Sequence, residues 1–225
     1  MPKQLIRDYL QTQGLKLPQD EVYMAVLTLR AVMDSGAASI DKQVLWHASE
    51  ALKLSDQIDD NPANEALLKQ VFMALDSVFS RSENIKSAAV YALMPSENGL
   101  PSLVCLTAQG QPLASVIAVD DTASQNHLAA RAALTGWMNI ADDIPQWLEH
   151  GDLQGEHNLR GKSQLSAPVC SASGAVLGVV HAEYPEIGQT DETAQIGWLA
   201  LALALQTPLQ ALLQREAPEQ KQQEY

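Results

Sequence analysis

The segment Ser163–Tyr184, SQLSAPVCSASGAVLGVVHAEY, constrains the fold of this chain more than any other. In its first half Gln164 and Ser166 alternate with Leu165, Ala167 and Val169, the period of a strand. In its second half Val176 to Ala182 is almost continuously apolar, interrupted by Gly178 and His181, the pattern of a strand covered on both faces. Ser173-Gly174 supplies a tight turn between the two. Such a hairpin needs further strands beside it and apolar layers on each side.

The chain can supply them. Its 225 residues, 46% of them hydrophobic, suffice for one sizeable core and a smaller appendage. The formal net charge of -13 argues against a phosphate backbone or an anionic membrane surface as a general partner, so no nucleic acid is expected. The N-terminus, MPKQLIRDYLQTQG, has neither a long apolar core nor a small-residue cleavage site, and a cytoplasmic protein is expected. The one long apolar run, Ile196 to Leu205, stops at Gln206, Thr207 and Pro208 after about half the length of a bilayer crossing. It reads as a buried helix, with no membrane insertion. Cys105 and Cys170 lie far apart in segments of strand character, and in a reducing compartment they read as small buried side chains.

The chain divides near Asp59-Asp60-Asn61-Pro62. Residues 1–60 show three helical patterns separated by Gly14 to Pro18 and by Ser35 to Ser39. The second, Gln19 to Met33, puts Val22, Ala25, Val26, Leu29 and Val32 or Met33 on one stripe. The third, Ile40 to Leu54, does so with Val44, Leu45, Ala48, Ala51 and Leu52. This helical extension is expected to pack on the main domain, residues 61–215, or on another subunit, and residues 216–225 form a polar tail. Asn61 caps a helix with Pro62 at its first position. Strands follow at Ser87 to Leu93, Ser102 to Thr107 and Leu113 to Val119, with Pro95 to Gly99 as the first turn. A helix over Ser124 to Leu134 then carries His127 and Arg131 one turn apart and stops at Gly136. A short helix spans Asp142 to Glu149, and after the hairpin a long helix begins past Thr190-Asp191-Glu192, kinked or restarted at Pro208.

Three stretches carry a family resemblance. AARAALTGWMNIADDIPQW is similar to the helix, glycine and loop of a GAF domain, SQLSAPVCSASGAVLGVVHAE to its core hairpin, and DETAQIGWLALALA to its closing helix. Over Ala63 to Leu213 the chain thus resembles a GAF domain, although the aromatic usual ahead of the last helix has no counterpart near Ile187 to Thr190. The resemblance implies a divergent member of α+β class. Its central antiparallel sheet would have helices on both faces and a small all-α segment ahead of it.

The same resemblance implies a pocket under the middle helices, walled here by His127, Arg131, Trp137, Asp142, Trp147, His157, Arg160, His181 and Glu183. Trp137 and Trp147 read equally as packing residues, and Arg131 either holds an anion or pairs with Asp142 or Asp143. His181 and Glu183, two apart on a strand, share a face. The adjacent pairs Glu149-His150 and Glu156-His157 do not converge as metal ligands, and no HExxH, paired CxxC, GxxxxGK[ST], GxGxxG or GxSxG pattern occurs. No catalytic residue, metal or cofactor is assigned.

The expected function is therefore that of a noncatalytic regulatory or sensor protein. It would bind a small molecule or a protein partner and signal to an output protein through a helix-mediated homodimer, with Leu199 and Leu203 in the seam. Two alternatives stand beside it: a scaffold with a degenerate pocket, and an enzyme resembling the GAF-fold reductases of free methionine sulfoxide, which use loop cysteines. Covalent tetrapyrrole relatives carry a Cys-His pair, whereas here the sequences are Cys105-Leu106 and Cys170-Ser171. The cyclic-nucleotide signature Asn-Lys-Phe-Asp-Glu is not reconstructed by Asn158, Lys162 and Asp191-Glu192.

Overall fold

The structure, a computed structural model, describes residues 3–36, 39–95 and 99–214. The expected polar tail, and most of the turn expected at Pro95 to Gly99, lie outside these residues. In chain order the helices are α1 Lys3–Thr12, α2 Gln19–Asp34, α3 Lys42–Leu45 and α4 Pro62–Phe79. Strands β1 Ser87–Pro95, β2 Pro101–Gly110 and β3 Val116–Ala118 follow, then α5 Asp121–Asn126, α6 Leu128–Thr135, β4 Asn139–Ala141 and α7 Ile144–His150. The hairpin β5 Ser163–Cys170 and β6 Val176–Tyr184 precedes α8 Glu192–Ala204 and α9 Gln206–Gln214. Short 3-10 turns occupy Leu54–Asp56 and Glu156–Arg160.

The strands form one six-stranded sheet in the order β3-β2-β1-β6-β5-β4, with every described neighbour pair antiparallel. The two strands with the most apolar sequence, β1 and β6, lie at the centre, where both faces are covered. Register then sorts the side chains. Ser87, Ala89 and Tyr91 stand opposite Glu183, His181 and Val179, and Glu183 and His181 in turn stand opposite Gln164 and Ser166, so one face carries the polar groups. The other face, with Ala88, Val90, Val180, Ala182, Leu165 and Ala167, is buried and apolar.

Helices α4, α8 and α9 cover the apolar face, while α6 packs over the polar one. Gly178 explains how closely α9 approaches: a Cβ there would lie 2.9 Å from Leu209 Cδ2 and run into the Tyr91 backbone. Caps set the helix starts. Asn61 accepts from the N–H groups of Ala63 and Asn64 at 3.0 and 2.9 Å, and Asp191 accepts from Ala194 at 2.9 Å. The chain restarts as α9 around Pro208, in keeping with a proline that cannot continue α8. Together α8 and α9 are long and apolar enough to cross a bilayer, yet most of their residues are buried within the protein.

The extension packs on its own chain. Helix α2 lies against α8 and α4, burying Val22, Val26, Leu29 and Met33 in the same core as Leu199 and Leu203. These two leucines, expected in a seam between copies, are 0% and 5% exposed within one chain.

Two helices differ from their periodicity. The third pattern, Ile40 to Leu54, is helical only over α3, because Asp41 caps one turn and Ser49 then diverts the backbone. The Ser49 hydroxyl accepts from the Leu52 N–H at 3.2 Å, closing a turn that lets Leu45, Leu52 and Leu54 reach the core without a helix. The pattern over Ser124 to Leu134 is two helices broken at His127, whose backbone is extended at φ -128° and ψ 120°. Strand β4, too short to show a period, was not anticipated.

Replacing Leu199 or Leu203 by Ala should lower the unfolding free energy by about 2–5 kcal/mol each, as for leucines in a closed core. Denaturant titration at two protein concentrations checks this. A wild-type midpoint that rises with concentration, together with alanine variants that lose that rise, would instead put these leucines between copies.

Candidate ligand-binding site

A cavity of about 280 Å³ lies between the polar face of the sheet, α6 and the 3-10 turn Glu156–Arg160. Its floor is a chain of buried polar side chains. The Ser166 hydroxyl lies 2.8 Å from His181 Nδ1, and His181 Nε2 lies 3.3 Å from Glu183 Oε1. Because a carboxylate only accepts, Nε2 carries the proton toward Glu183, and in the neutral ring the Ser166 hydroxyl donates to Nδ1. Arg160 Nε donates to Glu183 Oε2 at 2.7 Å, and Nη1 donates to the Pro112 carbonyl at 2.5 Å. Lys86 Nζ donates to the Arg160 carbonyl and ties the guanidinium's own backbone to the sheet.

Burial alone would raise the Glu183 carboxyl, but the hydrogen bonds and charges of His181 and Arg160 outweigh it and hold the group below its ordinary value. Glu183 is therefore ionised and paired. Breaking a buried pair by removing one partner costs about 3–5 kcal/mol, so the floor is a rigid unit.

The roof is built from the α5–α6 junction and the 3-10 turn. His127 and His157 stack with ring centroids 4.4 Å apart and an interplanar angle of 32°. Gly155 makes room for this, since its φ is +91° and a Cβ would lie 2.6 Å from His157 Cε1. Asn158, 3% exposed, donates its amide to the carbonyls of Asn126 at 2.8 Å and Gln154 at 2.6 Å, clamping the turn to the end of α5. Gln164 of β5 donates to Asn158 Oδ1 at 3.3 Å and links roof to floor. Burial, then the charges of His157 and His181, push the His127 imidazole down to about 4.

Of the residues expected at a pocket, the structure brings His127, His157, Arg160, His181 and Glu183 together. The others stand elsewhere. Arg131 donates to the carbonyls of Ser124 at 3.0 Å and Asp152 at 2.6 Å and lies over the Trp147 ring, fixing loops instead of facing the cavity. Trp147 packs on a small separate cluster of Leu128, Ala141, Ile144 and Leu153. Trp137 is exposed, and Asp142 Oδ1 accepts from the Thr190 hydroxyl at 2.6 Å, pinning the loop ahead of α8. Sequence reasoning missed Tyr91, Asn158 and Gln164 as site residues. The signal for Gln164 was present in the polar alternation of β5, once paired in register with His181 and Glu183.

The floor has the order of a Ser-His-Glu triad but not its accessibility. Ser166 is 0% exposed and does not line the cavity, so no substrate carbonyl reaches its oxygen. Neither cysteine lines the cavity: burial pushes the Cys105 thiol up to about 12 and raises that of Cys170. A larger space of about 560 Å³ lies between α2, the end of α4 and the start of α8. Its charged groups, Arg81, Glu83 and Asp191, are exposed and do not converge, so the smaller cavity is the better candidate.

No protein-family model matches the chain, and no curated protein matches its sequence. Solved structures do. A protein described as a GAF sensor from Burkholderia vietnamiensis matches at 17% identity over 83% of this chain and 91% of that one, with a TM-score of 0.55. The GAF domain region of a Geobacter sulfurreducens protein described as a membrane protein matches at 15% identity over 66% and 96%, with a TM-score of 0.53. The type II free methionine-R-sulfoxide reductase of Thermoplasma acidophilum matches at 12% identity over 67% and 96%, with a TM-score of 0.55. The chain has a GAF fold of divergent sequence, a fold that houses both sensors and reductases.

The histidine roof sets a pH dependence. With His127 at about 4 in the folded protein against an ordinary 6.5, the unfolded chain binds the extra proton between these values. Stability should therefore fall as pH drops from about 6.5 to about 4, and His127→Phe should flatten that window. The depressed Glu183 carboxyl contributes stability above the ordinary 4.5 and loses it on further acidification, a limb that His127→Phe leaves in place. Melting curves of both proteins against pH check the pair.

Proposed function

We propose that this chain is a noncatalytic GAF-type regulatory domain that binds a small molecule in the cavity between His127, His157 and the His181–Glu183–Arg160 floor. The observation that carries the reading is a buried polar floor paired within itself, beneath a cavity whose walls carry no serine hydroxyl or thiol. Such a surface recognises and orients. The buried Cys105 and half-buried Cys170, both with raised thiol pKa, favour recognition over the reductase chemistry of a protein of this fold.

In this reading the protein is cytoplasmic and passes ligand occupancy to a protein partner through the helices around the cavity. A homodimer then joins through surfaces other than Leu199 and Leu203. Leu5, Met24 and Leu27 of the extension are exposed apolar side chains available for one.

Native mass spectrometry of gently purified protein, against a denatured control, tests the reading. A noncovalent adduct that disappears in Ala129→Leu, which fills the cavity, is the expected result; an adduct that persists puts the ligand elsewhere. Incubation with free methionine sulfoxide and a thiol reductant should give no turnover. Turnover abolished by Cys170→Ser would establish the reductase instead.

A further inference from the structure

We infer that the ligand of this cavity is an uncharged, compact molecule with an amide-like group, its N–H accepted by Gln164 and Glu183 at the floor and its C=O facing the histidines of the roof. The inference rests on the cavity being a ligand site. Its basis is an account of which hydrogen-bonding groups the protein has already used.

On the floor most donors are taken. The Tyr91 hydroxyl donates to the Ala114 carbonyl at 2.9 Å, the Asn158 amide to backbone carbonyls, and the Gln164 amide to Asn158 Oδ1. Arg160 uses Nε and Nη1 on Glu183 and Pro112, and its Nη2 has no partner but is sealed from solvent. His181 Nε2–H is directed at Glu183.

The acceptors are open. Among the described residues no group donates to Gln164 Oε1, although Gln164 is 1% exposed and lines the cavity. Glu183 has one protein donor on each oxygen, and a carboxylate offers about four lone-pair sites. A ligand reaching the floor therefore meets mainly acceptors at Gln164 Oε1 and Glu183 and satisfies them with N–H or O–H groups. At the roof, no described group hydrogen-bonds to either imidazole of His127 or His157, and each neutral ring offers one N–H. A donor at one end and a carbonyl near it match this layout, with Leu113, Ile117 and Leu128 to receive hydrocarbon.

Charge excludes the ionic alternatives. Arg160 and Glu183 already neutralise each other at 2.7 Å, so a carboxylate in the cavity would face Glu183 and an ammonium would face Arg160. Neither finds an unpaired counter-ion, and burying an uncompensated charge is costly.

Benzamide, benzoate and benzylamine share one shape and differ in charge, and they separate the cases when titrated into the full chain at pH 7.5. The readouts are calorimetry and the imidazole resonances of His127 and His157. Benzamide should shift those resonances and bind about tenfold or more tightly than either ion. Gln164→Met should weaken benzamide about three- to tenfold. Should that variant melt early, the ranking of the three probes on the unaltered protein decides alone. Benzoate or benzylamine binding at the same histidines as tightly as benzamide overturns the inference and leaves the ligand site standing. If none of the probes moves those resonances, both the inference and the site it rests on fall.

Discussion

Glu183 is a carboxylate buried at the middle of a sheet, and much of the surrounding structure answers to that fact. An ionised carboxylate taken out of water is tolerated only with close partners. It has two, His181 from its own strand and Arg160 from the segment ahead of the hairpin. Arg160 reaches it only because the chain from Gly155 to Arg160 winds into a 3-10 turn over the sheet edge. That turn depends in turn on Gly155 adopting a positive φ and on Asn158 filling otherwise empty backbone acceptors. The cavity is the space left between a floor that must be polar and a turn that must stand above it.

The opposite face follows the contrary rule. There packing dominates, and its buried polar groups are few and paired: the Trp198 indole N–H of α8 donates to the Tyr184 hydroxyl at 2.6 Å, and the Ser163 hydroxyl donates to the Glu186 carbonyl at 2.8 Å. Small residues of β1 and β6, with Gly178 at the closest point, let α8 and α9 lie directly on the strands. Helix α2 then closes the outer side of α8. An apolar helix such as α8, whose sequence is hydrophobic around most of its circumference, must be surrounded. The extension supplies the last side, which is why Leu199 and Leu203 are core residues of one chain.

The parts of this arrangement that were legible in sequence are those encoded by local period and punctuation. Asn61-Pro62, Asp191 and the alternation in β5 each state a local preference that the tertiary structure honours. The break at His127 was not legible, since AAR and its neighbours are good helix formers; at the break the Asn126 carbonyl accepts from the Asn158 amide at 2.8 Å, a partner distant in sequence. Past the end of α3 at Trp46, Ser49 likewise holds a turn by accepting from the Leu52 N–H, a bond that competes with the helical pattern. The family resemblance implied Arg131 and Trp147 as pocket residues, yet Arg131 lies over the Trp147 ring and donates to nearby carbonyls. Long polar side chains find partners by three-dimensional proximity, which a linear pattern does not encode. The strand residues His181 and Glu183 were readable because the strand period of two fixes the face a side chain takes.

Under the proposed reading, the hydrogen bonds would let the cavity report its own occupancy. Gln164 joins β5 to Asn158, and Asn158 holds the 3-10 turn to the end of α5. A ligand that engages Gln164 thus acts on the side chain that fixes the roof, one residue from where α5 gives way to α6 through His127. Binding shifts such an equilibrium only by its difference in affinity for the two arrangements. A latch of neutral hydrogen bonds, each contributing about 0.5–1.5 kcal/mol, is of the right size for a small ligand to bias. The ion pair beneath it is several times stronger to break, so in the same reading the floor would hold while the roof responds.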